Sequence, residues 1–133
     1  MTFALDTNII SYLLRGNADV VKRWRTERLR GNDSVIPLIS YYEVKRGLIS
    51  VNATTKLAEF EKLCMALGIV ELSISDANVA SQIYAERTKL GRPIEDSDLL
   101  IAAQAISQGY TLVTNNMKHF EGIEGLDIVN WVE

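Results

Sequence analysis

The sequence predicts an α/β fold, a parallel sheet of four or five strands flanked by helices. Three observations lead there. Short apolar or β-branched runs of ~4–6 residues alternate with longer amphipathic stretches, the pattern of strands joined by crossover helices. Glycines stand where the helical patterns stop, at Gly16, Gly31, Gly68, Gly91 and Gly109, as helix ends favour. The 133 residues are 47 % hydrophobic and 23 % charged, and a chain of this length buries about two-thirds of its unfolded surface. No repeat, low-complexity stretch or linker divides it, so residues 1–133 read as one domain.

Each element has its own signal. Phe3-Ala4-Leu5 is a short apolar strand, and Ile9 to Leu14 a helix closed by Gly16. Val20, Val21, Trp24 and Leu29 mark a second helix ending at Gly31. Ser34 to Ile39 is β-branched and apolar, a buried strand. Ser40 is placed to cap a helix through Leu48. Thr54 or Thr55 opens an amphipathic helix with Leu57, Phe60, Leu63, Cys64 and Leu67 on one face. Ile69 to Leu72 is a strand. Ser75 and Asp76 cap the next helix, which runs to Leu90. Asp96 or Ser97 starts an apolar helix through Ser107. Tyr110 to Thr114 is a strand, and Ile128-Val129 a final edge strand.

Composition narrows the chemistry. A lone cysteine, Cys64, makes no internal disulfide and no cysteine zinc site. A lone histidine, His119, excludes schemes that need several imidazoles. Carboxylates must carry most of any chemistry. Cys64 reads as core, Trp24 as a half-buried helix anchor and His119 as a surface residue of a short turn. The opening shows no basic leader before a long apolar run, and no apolar stretch approaches ~18 residues, so no membrane span is expected. With one cysteine, the expected compartment is the reducing cytoplasm. The formal net charge is −3, but residues 1–50 balance to +3 and residues 51–133 to −6. Lys22 to Arg30 is a basic cluster around Trp24, joined by Arg15, Lys45 and Arg46. It reads as a solvated helix face, or as a surface for a phosphate backbone.

The acids converge. In a parallel sheet ligands bind outside the carboxyl ends of the strands. Asp6 directly follows the first strand. Glu43 lies in the first turn of the helix after the second strand. Asp98 lies in the first turn of a helix that feeds strand 110–114, and that helix runs antiparallel to its strand. Thr114-Asn115-Asn116 leaves at the same edge. Three gathered carboxylates repel and raise one another's pKa. A hard divalent cation, Mg²⁺ or Mn²⁺, removes that cost with oxygen ligands alone. Each acid also has a plain structural reading: Asp6 as a turn or helix cap, Glu43 and Asp98 as acids at helix N-termini. Asp98, however, neighbours the apolar stripe of Ile101, Ala102 and Ala105, where an unpaired carboxylate is costly. Asp96 reads as the helix cap, with a ligand role as its alternative.

Leu5-Asp6-Thr7-Asn8 resembles the opening motif of PIN-domain nucleases, in particular the VapC toxins of bacterial toxin–antitoxin pairs. The stretch Ile39 to Gly47 resembles their second motif, with Ser40 three residues before Glu43 and Gly47 four after it. Gly91 to Ala103, with its GRP and LLIAA stretches, resembles the third. Leu112 to Asn116, His119-Phe120, Gly125-Leu126 and Trp131 resemble the fourth block and tail. The match spans nearly the whole chain in order. It implies a three-layer PIN-like fold and a Mg²⁺- or Mn²⁺-dependent endoribonuclease that leaves a 5′-phosphate. By position, Asp6, Glu43 and Asp98 match the metal-binding acids. Asn116 stands where many relatives carry a fourth acid, which puts a second metal in doubt. Asn8 and Thr114 match polar positions that brace the acids, and Asn116 could orient a water. Arg15, Lys45 and Arg46 are the candidate RNA contacts. The resemblance also implies a homodimer and a cognate VapB-like antitoxin that blocks the acidic pocket with a tail carrying Arg. A minimal domain of this kind has no separate substrate domain.

Two other readings compete. A receiver or aspartyl phosphatase uses similar sheets, but the first strand ends in Asp6-Thr7-Asn8 rather than Asp-x-Asp. The third and fifth strands also lack the acid and lysine of a receiver. A non-catalytic PIN fold serving as an interaction module would have no need to keep all three acids.

Overall fold

The computed structural model describes residues 1–133. Five strands are joined by seven helices. They run in the order β1 (Thr2–Leu5), α1 (Thr7–Leu14), α2 (Ala18–Leu29), β2 (Asp33–Pro37), α3 (Leu38–Ser50), α4 (Thr54–Leu67), β3 (Ile69–Val70), α5 (Ile74–Lys89), α6 (Asp96–Gln108), β4 (Thr111–Val113), α7 (Met117–Phe120) and β5 (Ile128–Val129). All strand pairs are parallel, and the sheet order is β3-β2-β1-β4-β5. The chain builds outward from β1 to β3, then returns across β1 to place β4. The topological switch point therefore lies between β1 and β4. There the connections depart in opposite directions and leave a crevice at the carboxyl edge.

Alternation along β1 sorts its side chains to the two faces. Phe3 and Leu5 join a cluster with Ile9, Ile10, Phe60 and Trp131 from the α1–α4 side and the tail. Ala4 joins a second cluster with Leu99, Ala102, Ala105 and Phe120 from α6 and α7, with Ala80 and Ile83 from α5. The sheet is thus the middle of three layers. Small residues at Ala4 and along α6 let that helix lie close on the sheet. Trp131 is buried and meets the Phe3 ring edge-on, with centroids 5.3 Å apart, which fastens the C-terminal segment to β1. No helix is long and apolar enough to cross a membrane.

Several boundaries differ from the sequence reading, each for a local reason. The second strand ends at Pro37, which occupies the N-cap position of α3, so Leu38 and Ile39 are helical. Ser40 is therefore inside the helix and does not cap it; its hydroxyl is buried without a partner. The cap of α5 is Ser73, not Ser75. Its hydroxyl accepts from the Asp76 amide while the Asp76 carboxylate accepts from the Ser73 amide, a reciprocal capping box. The N-cap position of α6 is Glu95, and Asp96 is the first helical residue, exposed and without a capping bond. Leu29 is 90 % exposed. The inward face of α2 runs through Val20, Trp24 and buried Glu27, and Leu29 lies off that stripe.

Candidate active site

Asp6 stands at the switch point because β1 ends at Leu5. It occupies the N-cap position of α1 in an extended conformation, and its Oδ1 accepts from the Thr7 amide at 2.8 Å. Its backbone N–H donates to the Val113 carbonyl, continuing the β1–β4 ladder. Its Oδ2 accepts from the buried Thr114 hydroxyl at 2.7 Å. The Thr114 oxygen in turn accepts from the Asn116 amide at 2.9 Å. Asp6 is thus a helix cap and a member of the acidic rim together. Each carboxylate oxygen accepts one hydrogen bond and retains a lone-pair direction for another partner.

Glu43 comes from the second turn of α3. Its Oε1 accepts from the Thr7 hydroxyl at 2.7 Å, and its Oε2 lies 3.7 Å from Arg46 Nη2. Asp98 comes from the first turn of α6, and its Oδ2 lies 3.1 Å from His119 Nδ1. Burial is the main reason that the Asp6 carboxyl sits above the ordinary aspartate value. Asp98 and Glu43 push it further, against the Thr114 and Thr7 hydrogen bonds. Asp98 is raised as well, chiefly by burial and then by Glu95 and Glu43, with His119 opposing. Asp6 therefore feels both other acids, although it lies 92 positions from Asp98.

The donor set is all oxygen, charged and partly desolvated, which suits a hard divalent cation. No three acid, imidazole or thiol groups of the chain already stand at ligand spacing around one point.

The structure also sorts the other candidates. Asn8 hydrogen-bonds none of the acids and lines a groove beside Glu43. The bracing hydroxyl at that end belongs to Thr7, which the Asp-Thr-Asn motif displayed but whose role depends on the rotation of α1. Asn116 contributes its backbone amide to the Thr114 bridge. Arg15 lies over the Tyr12 ring and lines the same groove. Lys45 turns from the acids. It donates to the Tyr41 hydroxyl at 2.8 Å and pairs with Glu61 at 3.1 Å, contacts that hold its pKa above the ordinary lysine value. In the α2 cluster Arg23 and Arg30 pair with buried Glu27, and Arg28 stacks on Trp24. His119 is surface-exposed in the one-turn α7 but meets Asp98, a contact that its sequence position alone did not reveal.

The PIN-domain family model matches residues 3–125. The chain belongs to the PIN-domain family, in its VapC branch. Ribonuclease VapC2 of Haemophilus influenzae is 31 % identical to it over 134 residues, covering 99 % of each chain. The tRNA(fMet)-specific endonuclease VapC of Salmonella typhimurium is 31 % identical over 134 residues, covering 98 % of each. Among solved structures, VapBC2 from Rickettsia felis bound to a promoter DNA fragment superposes with a TM-score of 0.92. It is 27 % identical over 99 % of this chain and 100 % of that one. The three-layer, five-stranded parallel sheet described above is therefore a PIN fold. The acidic crevice of this PIN domain lies at its switch point.

Proposed function

We propose that the chain is a Mg²⁺- or Mn²⁺-dependent endoribonuclease, the toxin of a toxin–antitoxin pair. Asp6, Glu43 and Asp98 are its catalytic acids and metal ligands. The observation that carries this reading is the approach of the three acids on the carboxyl edge, near enough that Asp98 and Glu43 add to the burial that raises Asp6, and Glu43 to that which raises Asp98. Relatives named as ribonucleases supply the substrate class. A bound divalent cation would supply charge neutralisation at the scissile phosphoryl group and a more acidic water. The chain's own residues do the positioning. Thr114 and the Thr7 amide hold Asp6 rigidly. The Thr7 hydroxyl orients Glu43, and His119 orients Asp98. Such orienting partners typically matter ~10–100-fold in metal affinity or activity.

The solved neighbour is a VapBC assembly, which supports a VapB-like antitoxin as the partner that blocks the crevice. An arginine from such a partner would neutralise the same acids that the metal does. A homodimer is part of the proposal.

The test is cleavage of RNA with Mg²⁺ or Mn²⁺, with and without chelator, by the wild type and by Asp6→Asn. The expected result is metal-dependent cleavage, reduced at least ~100-fold in the variant. Equal cleavage by the two proteins would sink the assignment of Asp6.

A further inference from the structure

We propose that the pocket beside Asp98 binds a phosphodiester of the RNA backbone next to the one being cleaved, through Arg87 of α5 and Lys118 of α7. This rests on the nuclease reading above.

The pocket measures about 290 Å³, and Arg87, Glu95, Asp98, Lys118 and His119 line it. Its wall comes from α5, α7 and the start of α6, so it is assembled only by the tertiary fold. The Arg87 guanidinium is held in place: Nη1 donates to the Glu121 carbonyl at 3.2 Å. It lies against Gly122, whose backbone has φ +79°, a conformation that side chains disfavour. The Arg87 Nε–H is buried and has no acceptor. Neither Arg87 nor Lys118 belongs to any ion pair of the chain. A guanidinium that is fixed, partly desolvated and unpaired suits an oxyanion with several acceptor atoms, and Lys118 adds a second permanent positive charge. Glu95 and Asp98 carry the opposing charge. Asp98 faces His119, and in the proposed reaction its charge is given to the metal.

The other flank of the crevice is less suited. It is the groove lined by Thr7, Ser11, Arg15, Glu43 and Lys56. There Lys56 already donates to the Leu14 carbonyl at 2.7 Å and lies 3.6 Å from Glu59, while Arg15 rests on Tyr12. An RNA strand whose scissile phosphate lies at the three acids must pass its next phosphate to one flank. On the Asp98 flank neither cation is in an ion pair or lies over an aromatic ring.

The experiment compares Arg87→Gln, Arg87→Lys and Lys118→Gln with the wild type and with Lys62→Gln, an exposed lysine of α4. Steady-state cleavage of a single-stranded RNA is followed with Mg²⁺ or Mn²⁺. Binding of the same RNA is followed in an Asp6→Asn background at several salt concentrations. The expected result is a KM about tenfold higher for Arg87→Gln and Lys118→Gln, with kcat within about twofold. The salt slope of each Gln variant should be shallower by roughly 0.7, the share of one phosphate neutralised on a single strand. Arg87→Lys should recover part of the loss, and Lys62→Gln should match the wild type. Lys118 is exposed, so its variant reports even if Arg87→Gln folds poorly. If the wild type cleaves RNA while both Gln variants keep its KM and salt slope, the subsite is overturned and the nuclease reading stands. If the wild type neither binds nor cleaves RNA, both fall.

Discussion

At the residue scale, the Asp6 carboxylate closes the start of α1 and also forms the centre of the acidic rim. The first role is legible from an Asp between a strand and a helix. The second needs Thr114, which is 108 positions away. Raised carboxyl pKa values carry a stability consequence. An acid whose folded pKa lies above its unfolded value favours folding below the ordinary value near 3.8. That contribution is lost as pH rises through the folded value. At neutral pH ionised Asp98 is therefore a burden on the metal-free fold. Asp98→Asn should remove RNA cleavage yet leave the melting temperature in chelator at pH 7 equal to or above that of the wild type. The difference should shrink toward pH 4. A variant that melts several degrees lower at pH 7 would contradict this account. Cys64 lies at the opposite pole. Burial pushes its thiol up to about 11, so it belongs to the core and not to the chemistry.

At the scale of elements, propensity and periodicity located the strands and the longer helices, but the ends were decided by hydrogen bonds between distant segments. The edge strand β3 is two residues long rather than four. Beyond Val70 the chain leaves β2, and the carbonyls of Val70 and Glu71 are taken instead by the buried Gln104 side chain, at 2.9 and 3.0 Å. A glutamine inside the apolar run of α6 has no periodic explanation. Its partners belong to another layer. Gln104→Leu strands two carbonyls and should cost about 1–3 kcal/mol, read in denaturant unfolding. Amide exchange should accelerate first around β3 and the start of α5. Exchange that accelerates uniformly would show that Gln104 does not serve this edge locally. Likewise α3 begins at Leu38 because Pro37 ends the strand and stands at the helix N-cap. The β-branched and apolar run through Ile39 hid that change.

At the scale of the molecule, the switch point between β1 and β4 gathers Asp6, Glu43 and Asp98 at the cost of mutual repulsion. On the proposed reading a bound cation would relieve that repulsion, and metal binding and folding would be linked. Saturating Mg²⁺ or Mn²⁺, at ~100 times the dissociation constant, should stabilise the wild type by about 2.7 kcal/mol. Thermal melts with and without metal measure it, and the shift should vanish in Asp6→Asn. An equal shift in both proteins would place the cation elsewhere. Sequence alone determined the fold class, the order of the strands and of the six longer helices, and the edge at which the acids are expected. All of these follow from local apolar periodicity and the direction of parallel crossovers. It also determined the family, through motifs that run nearly the length of the chain. Only the tertiary structure decided which side chains touch. Thr7 rather than Asn8 braces Glu43, Lys45 turns to Glu61, His119 meets Asp98, and Arg87 and Lys118 share a pocket. The physical reason is that such contacts depend on the rotation of each helix about its axis and on the packing between layers. Periodicity assigns a residue to a face but does not state what that face meets.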